Sequence, residues 1–337
     1  MDSKEAVVAR QIDVLAIGEI LIDFTPAGLS PAGEALYERN PGGAPANVAV
    51  AVSRLGGSAA FVGKVGNDSF GRYLEQTLSA AGVDTTGLRV SPDHHTTLAF
   101  VSLSDTGERD FSFCRNPGAD CLLSPDELDR SLIRACRIIH AGSLSFTHEP
   151  LRESTLLAVR EAKAAGALVS CDPNWRASLW SDKRAGLAAM KTLVSLADIV
   201  KVSDVELALL SDMDESAAVD MPEDVLAGLA RRLAGNGPSL VLVTMGAAGS
   251  LVVYGNRVAS VPAFPAPVVD TTGAGDSFAG AFLYRITRRA APLRDLNFDD
   301  LVEDVRFANA AASCCVQKRG AIPAMPNRAD VEAVLEQ

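Results

Sequence analysis

This chain is short of positive charge. Its 31 Lys and Arg stand against 42 Asp and Glu, a net charge of −11, which disfavours a nucleic acid or an anionic membrane as a partner. Any anionic ligand must therefore be held by a few local groups. Cysteine is also sparse. Cys114, Cys121, Cys136, Cys171, Cys314 and Cys315 include no Cys-x-x-Cys pair and no accompanying histidine cluster, which argues against a thiolate metal centre. Most are expected to be small packing residues in a reducing compartment. The four histidines have no ligand spacing, and a plain structural role is expected for each. Residues Met1 to Gln11 are mixed in charge and contain no long apolar core, so neither a secretory signal nor a membrane span is expected. The expected location is the cytoplasm. No internal repeat, low-complexity tract or Pro/Ser-rich linker divides the chain.

What is present is apolar sequence in an alternating order. Nearly half of the 337 residues are apolar, ample for a continuous core in one large domain or two. Short β-branched or apolar runs at 14–17, 59–63, 138–141, 168–171, 199–202 and 240–244 read as core strands. Ala- and Leu-rich periodic segments at 46–55, 70–81, 151–165, 183–196, 227–234 and 275–286 read as the helices that cover them. Near-continuous apolar strands between helices imply a mostly parallel sheet buried on both faces. The expected fold is α/β, a three-layer α/β/α sandwich. Two extended segments, 24–40 and 96–115, do not fit the alternation. The second has an Asp105-Thr106-Gly107 turn between alternating runs, a hairpin signal.

The most informative segment is Asp270-Thr271-Thr272-Gly273-Ala274-Gly275-Asp276-Ser277-Phe278, where a small-residue turn follows the extended Val268-Val269 and opens a helix. Unpaired amides converge there, at the positive end of a helix dipole, where they can hold an anion and stabilise charge on a transferring phosphoryl group. Asp276 stands beside them and can serve as a general base toward an attacking hydroxyl. It can equally be a helix cap, since Asp is a favoured capping residue. No Gly-x-x-x-x-Gly-Lys-Ser/Thr loop or Gly-x-Gly-x-x-Gly fingerprint lies at a strand–helix junction, so phosphate binding has to use this turn.

Asp270-Thr-Thr-Gly-Ala-Gly-Asp276 resembles the C-terminal signature of the ribokinase-like (PfkB) carbohydrate kinases. Pro41-Gly-Gly-Ala-Pro-Ala-Asn47-Val-Ala-Val, followed by Arg54-Leu-Gly-Gly57, resembles the N-terminal signature of the same family. Further matches run from Gly18-Glu-Ile-Leu-Ile-Asp23 to Arg319-Gly-Ala-Ile-Pro323, so the resemblance covers nearly the whole chain. Within the family the wording is nearest to the fructokinases. The resemblance implies one ribokinase-like kinase domain over 12–330, with a small β-sheet lid built from 24–40 and 96–115. It further implies a homodimer paired through that lid, and transfer of phosphate from ATP to a sugar primary hydroxyl. D-Fructose is the first substrate it implies. Another sugar or sugar acid, such as 2-keto-3-deoxygluconate or ribose, is the alternative, and a non-catalytic binding or assembly subunit is a further one.

Carried over residue by residue, the resemblance makes Asp276 the base and Gly273, Ala274 and Gly275 the anion hole. It places Asp23, Gly42, Gly43, Asn47, Phe113, Arg115 and Arg176 on the sugar. For Phe113 and Arg115, alternation along the strand cannot choose the face. Asn174 is expected near the phosphate path, with Asp172 orienting it. Lys201 and Ser203 are expected on the nucleotide side, Ser203 standing where many members carry Asn. Thr244, Gly246 and Gly249 match the family's Thr-x-Gly-x-x-Gly at ATP, and Asn309 its adenine pocket. Glu206 is the expected indirect, water-mediated magnesium ligand. Asp270, Thr272 and the segment around Gly320 match a potassium site found in much of the family. ATP, Mg2+ and K+ are thus the implied cofactors.

Overall fold

The computed structural model describes residues 11–103, 109–219 and 221–337, with side chains not described at 102, 103 and 109–111. In chain order its elements are β1 (Ile12–Ile17), β2 (Leu21–Leu29), β3 (Ala35–Gly42), α1 (Ala44–Arg54), β4 (Ala59–Gly66), α2 (Ser69–Ala80), β5 (Asp84–Ser91), β6 (Leu98–Leu103) and β7 (Arg109–Cys114). They continue with α3 (Arg130–Arg134), β8 (Cys136–Gly142), α4 (Leu151–Ala164), β9 (Leu168–Asp172), α5 (Lys183–Leu196), β10 (Ile199–Ser203), α6 (Asp204–Leu210), α7 (Glu223–Ala234) and β11 (Leu240–Thr244). The chain ends with β12 (Ser250–Tyr254), β13 (Arg257–Val261), α8 (Ala274–Thr287), α9 (Phe298–Cys315) and α10 (Arg328–Leu335).

All six residues of β1 are buried, which requires cover on both faces and places the strand inside a sheet. The sheet runs β13-β12-β11-β10-β9-β8-β1-β4-β5. Seven strands are parallel, and β12 and β13 return antiparallel at one edge. Alternation along β1 divides the core. Val14 and Ala16 pack with Val48 and Val52 of α1, Phe278 and Phe282 of α8, and Leu301 and Val305 of α9. Leu15 and Ile17 face Val159 of α4, Leu193 of α5 and Leu229 of α7. This is the expected three-layer α/β/α arrangement.

Every expected core strand and helix is present to within a few residues. The β12–β13 hairpin was not foreseen; its outer strand is largely solvent-facing and so lacks the apolar run of a core strand. Nor was α9, which is buried over most of its 18 residues and therefore shows little amphipathic contrast.

The extended segments form a separate four-stranded sheet, β3-β2-β6-β7, in which β2 and β6 run parallel and the other pairs antiparallel. Phe24 stacks on Phe100 at 5.0 Å between ring centroids and meets Phe70 of α2 edge-on, seating this sheet against the main body. The Asp105-Thr106-Gly107 turn lies outside the described residues. Among the described residues five of the six cysteines are buried and Cys114 is exposed. His140 is buried within β8, its Nδ1 3.1 Å from Ser170 Oγ, and burial pushes its pKa down to about 3. No helix among the described residues is long and apolar enough to cross a membrane.

Candidate active site

The turn before α8 is set by a left-handed residue. Gly273 has φ 79°, and a Cβ there would stand 2.9 Å from Ala321 Cβ, so only glycine fits. Asp270, nearly buried, braces the turn: Oδ1 accepts from Thr272 N (2.8 Å) and Oδ2 from Gly320 N (3.0 Å). Ser277 N closes the first helical bond to Gly273 O at 2.8 Å. Ala274 N donates to Thr271 O at 3.2 Å, so its amide stabilises the turn itself. The amides of Gly275 and Asp276, which precede the first intrahelical bond, remain for an anion.

Gly273 is the N-cap of α8, and the helix has no side-chain cap hydrogen bond, so Asp276 does not cap it. Its carboxylate is held from α1, where Asn47 Nδ2 donates to Asp276 Oδ2 at 2.7 Å. Burial raises the Asp276 pKa to about 6, with the nearby Asp172 carboxylate adding to the effect and Asn47, Lys201 and Arg176 opposing it.

Asp23 is the third residue of β2, in the small sheet. Burial pushes its pKa up to about 7, against the pull of Arg176 and with help from the Asp276 and Asp270 charges. Gly42 lets this carboxylate pass, since a Cβ there would strike Asp23 Oδ2. Gly43 has φ 110°, and its Cβ would lie 2.6 Å from Glu19 O. Asp23, Gly43, Asn47, Phe113 and Arg176 all line one cavity of about 720 Å³.

Arg115 does not line that cavity. It is 5% exposed and spends its guanidinium on Asp120 (Nε–Oδ2 2.8 Å), Thr147 Oγ1 (2.7 Å) and the Leu144 carbonyl (3.3 Å). It anchors the end of β7 to the main body, and strand alternation carries no information about that choice.

The other half of the same cavity is lined by Asn174, Lys201, Ser203, Glu206 and the Thr272, Gly273, Gly275 and Asp276 turn. Lys201 Nζ donates to Asp172 Oδ2 at 2.8 Å. Burial alone would lower the lysine pKa, but the Asp172 and Glu206 carboxylates outweigh it and raise it. A Cβ on Gly275 would stand 2.9 Å from Lys201 Nζ, so the ammonium lies against the amide turn. Asn174 adopts a left-handed φ of 46° and donates its amide to Asp172 Oδ1. Glu206 accepts Trp175 N on Oε1 and Ser203 N on Oε2, both at 2.7 Å, while Ser203 Oγ accepts from Glu206 N. Ser203 is therefore the N-cap of a capping box, a position that Asn fills equally well, which accounts for the departure noted in the sequence.

Four expected nucleotide residues do not line this cavity. Thr244, Gly246 and Gly249 form the tight turn from β11 to β12, Thr244 Oγ1 donating to Val202 O. Asn309 is a strap: Nδ2 donates to the carbonyls of Val261 and Pro262, and Oδ1 accepts from Ser250 Oγ.

Among the described residues no group of three or more His, Cys, Asp or Glu forms a metal cage. Glu206, the expected water-mediated ligand, lines the cavity with a backbone amide on each oxygen. Asp270 and Gly320, joined by their hydrogen bond, and Thr272 bring together the positions of the expected potassium site.

Glu19 was missed as a lining residue. It sits just between the apolar runs 14–17 and 20–22, where a charge has no packing reason to be, and that is the signal that would have found it.

Fold and site together define an α/β enzyme in which a half-buried carboxylate, in the first turn of α8, lines a cavity. The chain belongs to the pfkB family of carbohydrate kinases, whose model matches residues 11–328. It is 45% identical to "Fructokinase-1" of Zea mays over 326 residues, 96% of this chain and 98% of the relative. Among solved structures, a Xylella fastidiosa fructokinase with bound ATP superposes with a TM-score of 0.85 at 36% identity, over 96% of this chain and 98% of that one. A Vibrio cholerae O395 fructokinase with fructose, ADP and calcium ion gives 0.84 at 35% identity, over 98% of this chain and all of that one.

Proposed function

We propose that this chain is a fructokinase, transferring the γ-phosphoryl group of ATP to the primary hydroxyl of D-fructose to give fructose 6-phosphate and ADP. One observation carries the reading. Asp276 is a half-buried carboxylate oriented by Asn47 that lines one cavity together with Asp23, Lys201 and the amide turn. Asp276 takes the hydroxyl proton as that oxygen attacks the γ-phosphorus and the bond to the β-phosphate oxygen breaks. The Gly275 and Asp276 amides and the Lys201 ammonium stabilise the charge on the moving group. Asp23, Asn47 and Arg176 hold the sugar, and Phe113 covers it from the small sheet. Magnesium, when bound with ATP, neutralises phosphate charge, and Glu206 would hold its waters. Asp270, Thr272 and Gly320 would hold potassium beside the turn.

The chain acts as one kinase unit over 12–330, with the small sheet as a lid. Exposed Leu29, Leu36 and Tyr37 on that sheet support pairing of two lids in a homodimer. Cysteines without a disulfide support a cytoplasmic location.

The test is ADP release by the purified protein with Mg-ATP across fructose, glucose, mannose, ribose and 2-keto-3-deoxygluconate, with and without potassium. Fructose-dependent turnover at least tenfold above the other sugars is expected. Preferential turnover of another sugar corrects the substrate, and folded protein inert with all of them overturns the reading.

A further inference from the structure

We propose that Glu19 is a sugar ligand: its free carboxylate oxygen takes a hydrogen bond from a hydroxyl other than the one phosphorylated, and so sets which hydroxyl pattern the site accepts. This inference rests on the reading that the cavity holds a sugar.

Glu19 follows Gly18 at the exit of β1 and is 2% exposed, yet it lines the cavity. One oxygen has a structural task, since Oε1 accepts Ala44 N at 3.1 Å and so serves the start of α1, whose N-cap Gly43 offers no side chain. The other oxygen, Oε2, is buried and meets no hydrogen-bond donor among the described residues. Burial pushes the Glu19 pKa up to about 7, with its own backbone amide and the Arg115 charge opposing, so Oε2 is the free acceptor in the ionised form; the Arg115 nitrogens themselves donate to Asp120, Thr147 and Leu144.

A second acceptor in the same cavity is in the same condition. Asn47 is 4% exposed, its Nδ2 is committed to Asp276, and its Oδ1 is buried without a partner. Native proteins pair nearly all buried polar atoms, so two such acceptors on residues that line one cavity mark where a ligand supplies donors. Phosphate oxygens supply none, whereas a polyol carries one on each hydroxyl. Asp23 lines the same cavity. A site built to accept from a hydroxyl discriminates strongly against an analogue that lacks it, because the buried acceptor is then left unpaired.

The experiment uses the full-length protein and compares wild type, Glu19→Gln and Glu19→Asp by steady-state kinetics with fructose and its 1-, 3- and 4-deoxy analogues. Glu19→Gln keeps an oxygen for Ala44 N and turns the free acceptor into a donor; Glu19→Asp keeps the charge and withdraws it. The fructose KM is expected to rise about 10- to 100-fold in both, the range for a lost hydrogen bond to a charged group. The ATP KM should stay within about threefold. One deoxy analogue that wild type handles poorly should be handled as well as fructose by Glu19→Gln. A cap alone moves neither that ratio nor fructose selectively. A fructose KM within threefold of wild type, equal shifts for fructose and ATP, or failure of both variants to fold overturns the proposal. Wild type inert toward every sugar overturns the functional reading as well, so the two failures are distinct.

Discussion

Asn47 and Asp276 are 229 positions apart in the chain, yet Asn47 Nδ2 donates to Asp276 Oδ2 at 2.7 Å. The bond joins the first turn of α1 to the first turn of α8, two helices packed against each other through Val48 and Gly280, where a Cβ on Gly280 would lie 2.9 Å from Val48 O. It commits one oxygen of the carboxylate and fixes its orientation, which a base acting on a bound hydroxyl requires.

Asp276→Asn should lower kcat by about 10²- to 10⁴-fold, the usual contribution of a positioned general base. Sugar and ATP dissociation constants from calorimetry should stay within a few-fold. A variant turning over within tenfold of wild type would remove Asp276 from the proton transfer.

The same carboxylate sets a pH dependence. Asp276 must be ionised to accept a proton, and burial lifts its pKa to about 6, so kcat, read with the sugar site saturated, should fall about tenfold per unit below pH 6 and level off above it. A rate profile flat between pH 5 and 8 would contradict this.

Stability should run in the opposite direction. Asp23 ionises near 4 when unfolded but near 7 in the fold, chiefly because it is buried. The folded chain therefore binds more protons between those values, and the contribution is full at low pH and lost as pH rises toward 7. Urea midpoints at pH 5.5 and 8 read the effect, and Asp23→Asn should reduce the difference. An unchanged difference would show that Asp23 is not protonated in the folded protein.

Arg115 and Asp120 form a pair in which each side chain is 1% exposed. Arg115→Met strands a buried carboxylate and should cost about 3–5 kcal/mol in urea denaturation, with kcat within a few-fold of wild type. Intact stability with a large loss of kcat would return Arg115 to the substrate.

The legible parts were those with strong local signals. Buried parallel strands read as apolar runs, such as Val14 to Ile17 of β1, and α2, α4 and α5 as amphipathic repeats. The Gly273 to Asp276 turn was legible because a left-handed glycine before a helix leaves a compositional mark. Other features had no such mark. Asn309 had the right surroundings in sequence but is a strap between β12, the chain after β13 and α9. Ala274 carries an amide like its neighbours, yet geometry turns that amide back to Thr271.

The sequence by itself determined the layers, the helix start that can hold an anion, and the family to which its two signatures point. These follow from burial periodicity and backbone permissiveness, which act over a few residues. Only the tertiary structure decided that Asp276 is held by Asn47 rather than capping its own helix, that Arg115 turns away from the cavity, and that Glu19 and Asn47 each keep a buried acceptor within it. Those outcomes depend on which side chains the crossovers of the sheet bring within 3 Å of one another. Contacts spanning more than 200 residues leave no periodicity to read.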